Sequence, residues 1–207
     1  MRVRQWNTHP WSVALLMIAA ALLAAPGGAT DSETAYATFA AGCFWCIEAD
    51  LEKVDGVVSV TSGYTGGSVA NPTYKQVSAG KTGHTEAVRV VFDPRVISYE
   101  ELLAIFWRNI DPTVADRQFC DIGEQYRAGI FYHDQGQREA AERSRAVLEQ
   151  TKPFANPIVT EIAAATAFYP AEAYHQDYSK KNPIRYAYYR KSCGRDQRLK
   201  ELWGEKQ

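Results

Sequence analysis

Several features are missing from this sequence, and each absence closes off a class of function. No GxGxxG turn joins a strand to a helix and no GxxxxGK loop is present, so nothing marks a dinucleotide or nucleoside-triphosphate site. There is no internal repeat, which excludes solenoids and propellers. Charge of one sign is lacking too. Lys and Arg number 23 against 24 Asp and Glu, without a basic block, which makes nucleic acid or an anionic membrane surface a poor partner. Cysteine is scarce, with Cys43, Cys46, Cys120 and Cys193 the full set of four. Only the first two form a CxxC, so a tetrahedral zinc site lacks its second pair. His84 and His175 stand alone rather than at ligand spacing. No metal and no cofactor is expected.

Long apolar runs are confined to the start. Arg2 and Arg4 precede Val13–Ala25, thirteen apolar residues, and the run ends at Pro26, Gly27, Gly28 and Ala29. This reads as a secretory signal peptide over residues 1–29, too short for a stop-transfer helix and without a nearby cysteine for lipidation. The remainder, residues 30–207, is read as one domain of about 178 residues, large enough for a single core. Loss of Arg2 and Arg4 leaves a net charge of −3. A periplasmic or secreted location is expected, with no membrane association after cleavage, and the monomer is the expected state.

What remains is organised around GCFWCIE, Gly42–Glu48. Tyr36–Ala40 reads as a strand and Phe44–Lys53 as a helix with Ile47 and Leu51 on one face, so Cys43 falls where strand hands over to helix. A thiol there faces unpaired N–H groups and the positive end of the dipole, which favour the thiolate. VVSVTSGY gives a second strand. A Gly-rich loop follows, Thr65–Gly83, whose length and Tyr74 suggest function. Thr85–Phe92 alternates as a third strand, with Glu86, Val88, Val90 and Phe92 on one face. Ser98 and Glu101 form a capping box for a helix carrying Leu102, Leu103, Phe106 and Trp107. After the irregular stretch Asp111–Gln125 come a strand over Tyr126–His133 and a helix over Asp134–Thr151, with Ala140, Ser144, Val147 and Leu148 inward. A strand over Ile158–Phe168, a helix over Ala171–Lys181 and an amphipathic tail complete the order β-α-β-β-α-β-α-β. That order predicts an α+β two-layer sandwich, a mixed sheet with packed helices and a ferredoxin-like core.

Two structural disulfides are the plain reading of four cysteines in an exported chain. A working thiol system centred on Cys43, with Cys46 on the same side of the helix, is the alternative. Glu86 lies on the apolar face of its strand, where burial raises a carboxyl pKa and leaves a proton to give. Trp45 could wall an apolar pocket. Taken singly, Tyr74, Asp121 and Tyr126 say little. A thiol–disulfide oxidoreductase acting through Cys43 and Cys46, or a metal-binding domain, is also compatible with these residues.

GCFWCIE, GYTGG with Asn71-Pro72-Thr73-Tyr74, GHTEAVRVVFDP, FWRNIDPT, DIGEQYRAGIFY and AEAYHQDYSKKNP occur in order from Cys43 to Pro183. Together they resemble the A-type peptide-methionine (S)-S-oxide reductases. The resemblance implies a two-layer α/β sandwich with Cys43 as the catalytic cysteine, while Phe44 and Trp45 line the pocket for the sulfoxide methyl. It implies Glu86 as proton donor, Tyr74 and Tyr126 as hydrogen-bond donors to the sulfoxide oxygen, and Asp121 as an organiser of the site. The substrate would be free methionine-S-sulfoxide or oxidised proteins, and the reductant a thioredoxin-like dithiol. The chain departs from the family's common pattern at Cys46, where Gly is usual, at Ile110, where His is usual, at Cys120, and in its tail. Cys193 is the first candidate to resolve the sulfenic acid, Cys46 the second and Cys120 the third, with a relay through two of them also open.

Overall fold

The computed structural model describes residues 1–3, 5 and 34–204. The signal peptide expected over residues 1–29 falls almost wholly outside the described residues. Everything below concerns the unit Ser32–Gln207.

Strand β1, Ala35–Ala41, leads through Gly42 into helix α1, Phe44–Leu51. Strand β2, Val57–Thr65, is followed by a five-residue helix α2, Tyr74–Ser78, and by strand β3, Thr85–Phe92. Helix α3, Tyr99–Arg108, is capped by Ser98 and Glu101 as their spacing predicts. Two short strands, β4 (Arg117–Gln118) and β5 (Asp121–Ile122), pair with each other and precede β6, Ala128–Tyr132. Helix α4, Gln135–Thr151, starts at an Asp134 cap. Strands β7 (Glu161–Ala164) and β8 (Tyr169–Pro170) come next, followed by helices α5 (Tyr178–Lys181), α6 (Pro183–Ser192) and α7 (Arg195–Trp203).

The main sheet runs β7-β6-β1-β3-β2-β8. Its four inner strands are antiparallel neighbours, and β7 joins β6 in parallel. With α1 and α3 as the connecting helices, β1-α1-β2-β3-α3-β6 is a split βαβ arrangement, the ferredoxin-like core expected from the element order. Strand parity divides the sheet cleanly. Phe39, Val88, Val90 and Phe92 pack with Ile47, Leu51, Leu102, Leu103 and Phe106 on one face, all at most 2% exposed. Ala40, Ala87 and Phe131 face the other way, under Ala163, Ala165 and Phe168. No described helix is long and apolar enough to cross a membrane.

Several elements differ from the sequence reading. The strand expected over Ile158–Phe168 is four residues long, because β7 has only the β6 edge to pair with. Of the helix expected over Ala171–Lys181, only Tyr178–Lys181 forms, and the preceding residues turn to grip β2. Gln176 accepts a hydrogen bond from Ser62 N at 2.9 Å and donates to Ser62 O at 2.8 Å. Val147 points to solvent at 60% exposure, and the inward face of α4 is Ala140, Ala141, Ser144 and Leu148, the last packed against the core as expected. Helix α2 appears in the long loop because Thr73 and Gln76 form a reciprocal capping box.

Candidate active site

The turn from β1 into α1 sets the first group. Gly42 has φ +78°, and a Cβ there would lie 2.5 Å from the Cβ of Gln118, so conformation and space both require glycine. The buried Gln118 bonds both backbone groups of Asp111, which ties the DPT turn to this corner. Cys43 is then the N-cap of α1, and its side chain makes no capping hydrogen bond.

Strand β3 sets the second. Parity sends Glu86 inward with Val88 and Val90, and the Phe44 N–H at the start of α1 donates to Glu86 Oε2 at 3.0 Å. The carboxyl is 3% exposed. Burial raises its pKa to about 8. The Phe44 N–H opposes the rise, and the charges of Asp121 and Cys46 add to it. Glu86 therefore carries a proton at neutral pH although it sits at a helix N-terminus.

The same balance governs the sulfurs, with a result that differs from the dipole argument. Burial, then the hydrogen bond and charge of Cys46, push the Cys43 thiol up. Cys46 moves down to about 7, chiefly because the Cys43 thiol donates to it, with Arg195 and Arg190 assisting against its own burial. Of the two sulfurs Cys46 is therefore the more acidic, and Cys43 keeps its proton at neutral pH. Desolvation inside the cavity outweighs the helix terminus.

Cys43, Phe44, Trp45, Tyr74, Glu86, Asp121, Tyr126 and Tyr189 line one cavity of about 210 Å³. The structure thus brings together all seven residues marked in the sequence for the reacting centre and its pocket, and adds Tyr189. The side chains of Tyr74 and Tyr126 both line this cavity. Burial holds the Tyr74 phenol at about 12 and moves Tyr126 higher still, so both remain donors. Tyr189 lines the cavity with Cys43 and donates to Asp121 Oδ2 at 2.6 Å. Nothing in IRYAYYR distinguishes Tyr189 from its neighbours. Its place follows from helix α6, which Arg190 pins to the end of α1 through both carboxylate oxygens of Asp50.

The AEAYHQDY stretch supports the aromatic wall. Glu172 accepts from Tyr64 Oη and from Tyr74 N, each at 2.8 Å. His175, buried, accepts the Trp45 indole N–H on Nδ1 at 3.0 Å, and its ring packs against Phe44 and Tyr74. Trp45 also stacks on Tyr178, with centroids 3.7 Å apart. His84 instead closes the long loop, taking the Gly67 N–H on Nδ1 at 3.1 Å with its Nε2 2.7 Å from Val69 O.

The remaining cysteines are joined. Cys120 and Cys193 form a disulfide with Cα atoms 4.9 Å apart, while Cys43 and Cys46 are free and buried. Cys193 precedes Arg195, whose guanidinium is 1% exposed and donates to Ala41 O at 3.1 Å and Asn109 O at 2.7 Å. The tail is thereby fastened to the strand end that delivers Cys43. At the other departure, Ile110 is fully buried and its carbonyl accepts the Trp203 indole N–H.

The sequence model of the family described as peptide methionine sulfoxide reductase matches residues 35–207. The chain belongs to that family. This reductase is 54% identical over 175 residues to the peptide methionine sulfoxide reductase MsrA/MsrB of Vibrio cholerae, covering 84% of the chain and 46% of that relative. It therefore spans about half the length of that two-part protein. It is 51% identical over 170 residues to the MsrA of Bacillus licheniformis, covering 82% of the chain and 94% of the relative. Among solved structures it resembles reduced Mxr1 from Saccharomyces cerevisiae, with TM-score 0.69 and 34% identity over 74% of this chain and 88% of that one. Methionine sulfoxide reductase A of Corynebacterium diphtheriae gives TM-score 0.68 and 35% identity over 73% and 76%.

Proposed function

We infer that this reductase converts methionine-S-sulfoxide, free or in oxidised proteins, to methionine. One observation carries the reading. A protonated carboxyl and a cysteine sulfur face the same small cavity, whose wall includes Phe44 and Trp45. Sulfoxide sulfur is electrophilic only when its oxygen is protonated or firmly hydrogen-bonded, so thiolate and acid must approach it from different sides. Glu86 supplies the proton, Tyr74 and Tyr126 grip the oxygen, Asp121 organises Tyr189 beside the sulfur, and Phe44 with Trp45 takes the methyl. Cys46 accepts the Cys43 proton as substrate enters. The Cys43 thiolate attacks sulfur, the S–O oxygen passes to Cys43 as sulfenic acid with the proton from Glu86, and methionine leaves. The sulfenic acid then condenses with a second thiol, releasing water, and a thioredoxin-like dithiol reduces the disulfide.

A general thiol–disulfide oxidoreductase is the weaker reading, because Cys43 and Cys46 are 6% and 2% exposed and a protein disulfide cannot reach them. The basic residues and apolar run at the start of the sequence support work on exported proteins in the periplasm or outside the cell. Incubation with each sulfoxide diastereomer and a small dithiol should consume the S form alone. In the R form, methyl and oxygen exchange places and the oxygen meets Phe44 and Trp45. Equal consumption of both forms overturns the reading.

Pocket specificity also depends on His175. Its Nδ1 must stay unprotonated to hold Trp45, and burial keeps the ring neutral by lowering its pKa. His175→Leu leaves the indole N–H without its acceptor and should raise KM for the sulfoxide ~10-fold, the scale of one lost buried hydrogen bond. His175→Asn, whose amide oxygen can stand near Nδ1, should restore most of it. Steady-state kinetics on both variants checks this.

A further inference from the structure

The sequence holds one CxxC and no second pair to close a zinc site with it, but the fold collects a different set of donors. Gln118 and Asp121 pair across the tight turn between β4 and β5, which carries Cys120, and the disulfide brings Cys193 of the α6–α7 corner to the same turn. The Cys120 sulfur lies 3.8 Å from Asp121 Oδ1 and the Cys193 sulfur 4.0 Å from Oδ2. These ligand atoms all stand within 4.8 Å of one another, and no other three from Cys, His, Asp and Glu do so among the described residues. At Zn–S ~2.3 Å and Zn–O ~2.1 Å, a tetrahedral ion holds sulfur about 3.6 Å from oxygen and its two sulfurs about 3.8 Å apart. The sulfur–oxygen spacing is thus close to what zinc needs, and opening the disulfide lets the sulfurs part.

We propose that the chain with this disulfide reduced binds one zinc ion through Cys120, Cys193 and Asp121, with water in the fourth position. Two thiolates and a carboxylate are a donor set that selects zinc over magnesium or calcium. The supporting shell is already built. The Cys120 N–H donates to the Cys193 sulfur at 3.2 Å, an interaction that a bound thiolate strengthens. Tyr189 donates to Asp121 Oδ2 at 2.6 Å, which orients the carboxylate and leaves Oδ1 for the metal. Three negative ligands around Zn²⁺ leave a single negative charge near the buried Arg195, two residues beyond Cys193. Binding replaces two S–H bonds by two S–Zn bonds and releases two protons, with no change of oxidation state. The disulfide and the metal use the same two sulfurs and exclude each other, so the site exists only in the reduced chain. Cys120 is exposed, which gives the ion a path from solvent. Zinc held there shields both outer thiols from oxidation and alkylation. Cys43 and Cys46 stay free, since no third ligand atom joins their two sulfurs at that range.

The test is zinc uptake by protein reduced with a phosphine and then freed of it, read by competition with a coloured chelator. Reduced wild type should take up one zinc per chain, and the same protein with Cys120–Cys193 closed should take up none, a comparison that needs no variant to fold. Cys120→Ser/Cys193→Ser should lose the ion. Tyr189→Phe should weaken binding ~10-fold, the low end of what a hydrogen bond to a metal ligand is worth, and Asp121→Asn should weaken it further. Cobalt(II) in place of zinc should show thiolate charge-transfer absorption that the double serine variant lacks. No uptake by reduced wild type, equal uptake by the closed form, uptake retained by Cys120→Ser/Cys193→Ser, or affinity unchanged in Asp121→Asn overturns the assignment. Sulfoxide turnover does not enter these readouts, so the zinc site and the reductase reading stand or fall separately.

Discussion

Replacing Cys43 by serine is expected to remove turnover by more than ~10⁴-fold, the scale on which losing a nucleophile costs an enzyme its rate. The fold should survive the change. Cys43 occupies the N-cap of α1 without a capping hydrogen bond, and serine is among the preferred residues there, so unfolding free energy should hold or rise by a few tenths of a kcal/mol. The loss is therefore chemical. A serine hydroxyl cannot pass its proton to Cys46 at neutral pH, and its oxygen is a poor nucleophile toward sulfur. Methionine release assayed beside a denaturant melt checks both halves, and residual turnover within tenfold of wild type would remove Cys43 from the mechanism.

Glu86→Gln should lower kcat by ~10²–10⁴, the usual worth of a positioned general acid. Gln can still accept the Phe44 N–H through its amide oxygen, so the geometry is retained while the transferable proton is gone. Alkylation of Cys43 by a small reagent should proceed at close to the wild-type rate. The pH profile of kcat/KM separates the roles. Attack needs the inner thiol pair to have lost one proton, so activity rises through about 7, and protonation of oxygen needs neutral Glu86, so it falls through about 8. A narrow bell is expected, with Glu86→Gln losing its alkaline limb. Stability moves the other way. Because the folded pKa is raised above the unfolded value near 4.5, the unfolded chain gives up its proton first, and Glu86 increasingly penalises folding as pH climbs from about 4.5 to 8. Glu86→Gln should thus stabilise the protein at pH 7, by on the order of 2 kcal/mol. A variant that melts lower at pH 7 and higher at pH 4 has the wrong sign.

Much of this site could be read from local pattern. Alternation in Thr85–Phe92 places Glu86 on the apolar face, and the Gly42 turn places Cys43 at a helix start, since both follow from backbone geometry over a few residues. The βαββαβ order likewise followed from periodicity and one capping box. What pattern does not encode is the outcome of competing long-range terms. The helix terminus favours a Cys43 thiolate, yet burial against Glu86 and Cys46 keeps the thiol protonated. Tyr189 and His175 reach the site from segments more than a hundred residues beyond Cys43, and one tyrosine among twelve carries no local mark. Helix α6 has no buried residue and hence no apolar stripe to betray it, because its docking is made by Arg190 on Asp50. The Cys120–Cys193 bond depends on the α6–α7 corner returning to β5, a contact between elements that neither segment announces by itself.

The central claim is that the sulfoxide oxygen passes to one particular sulfur. It is tested most directly by giving a variant with Cys46, Cys120 and Cys193 changed to serine one equivalent of methionine-S-sulfoxide carrying a heavy oxygen isotope, then quenching and weighing the peptide that holds Cys43. The account predicts one heavy oxygen on Cys43 for each methionine released. Methionine appearing while Cys43 stays unmodified, or gains oxygen of ordinary mass from solvent, would contradict it.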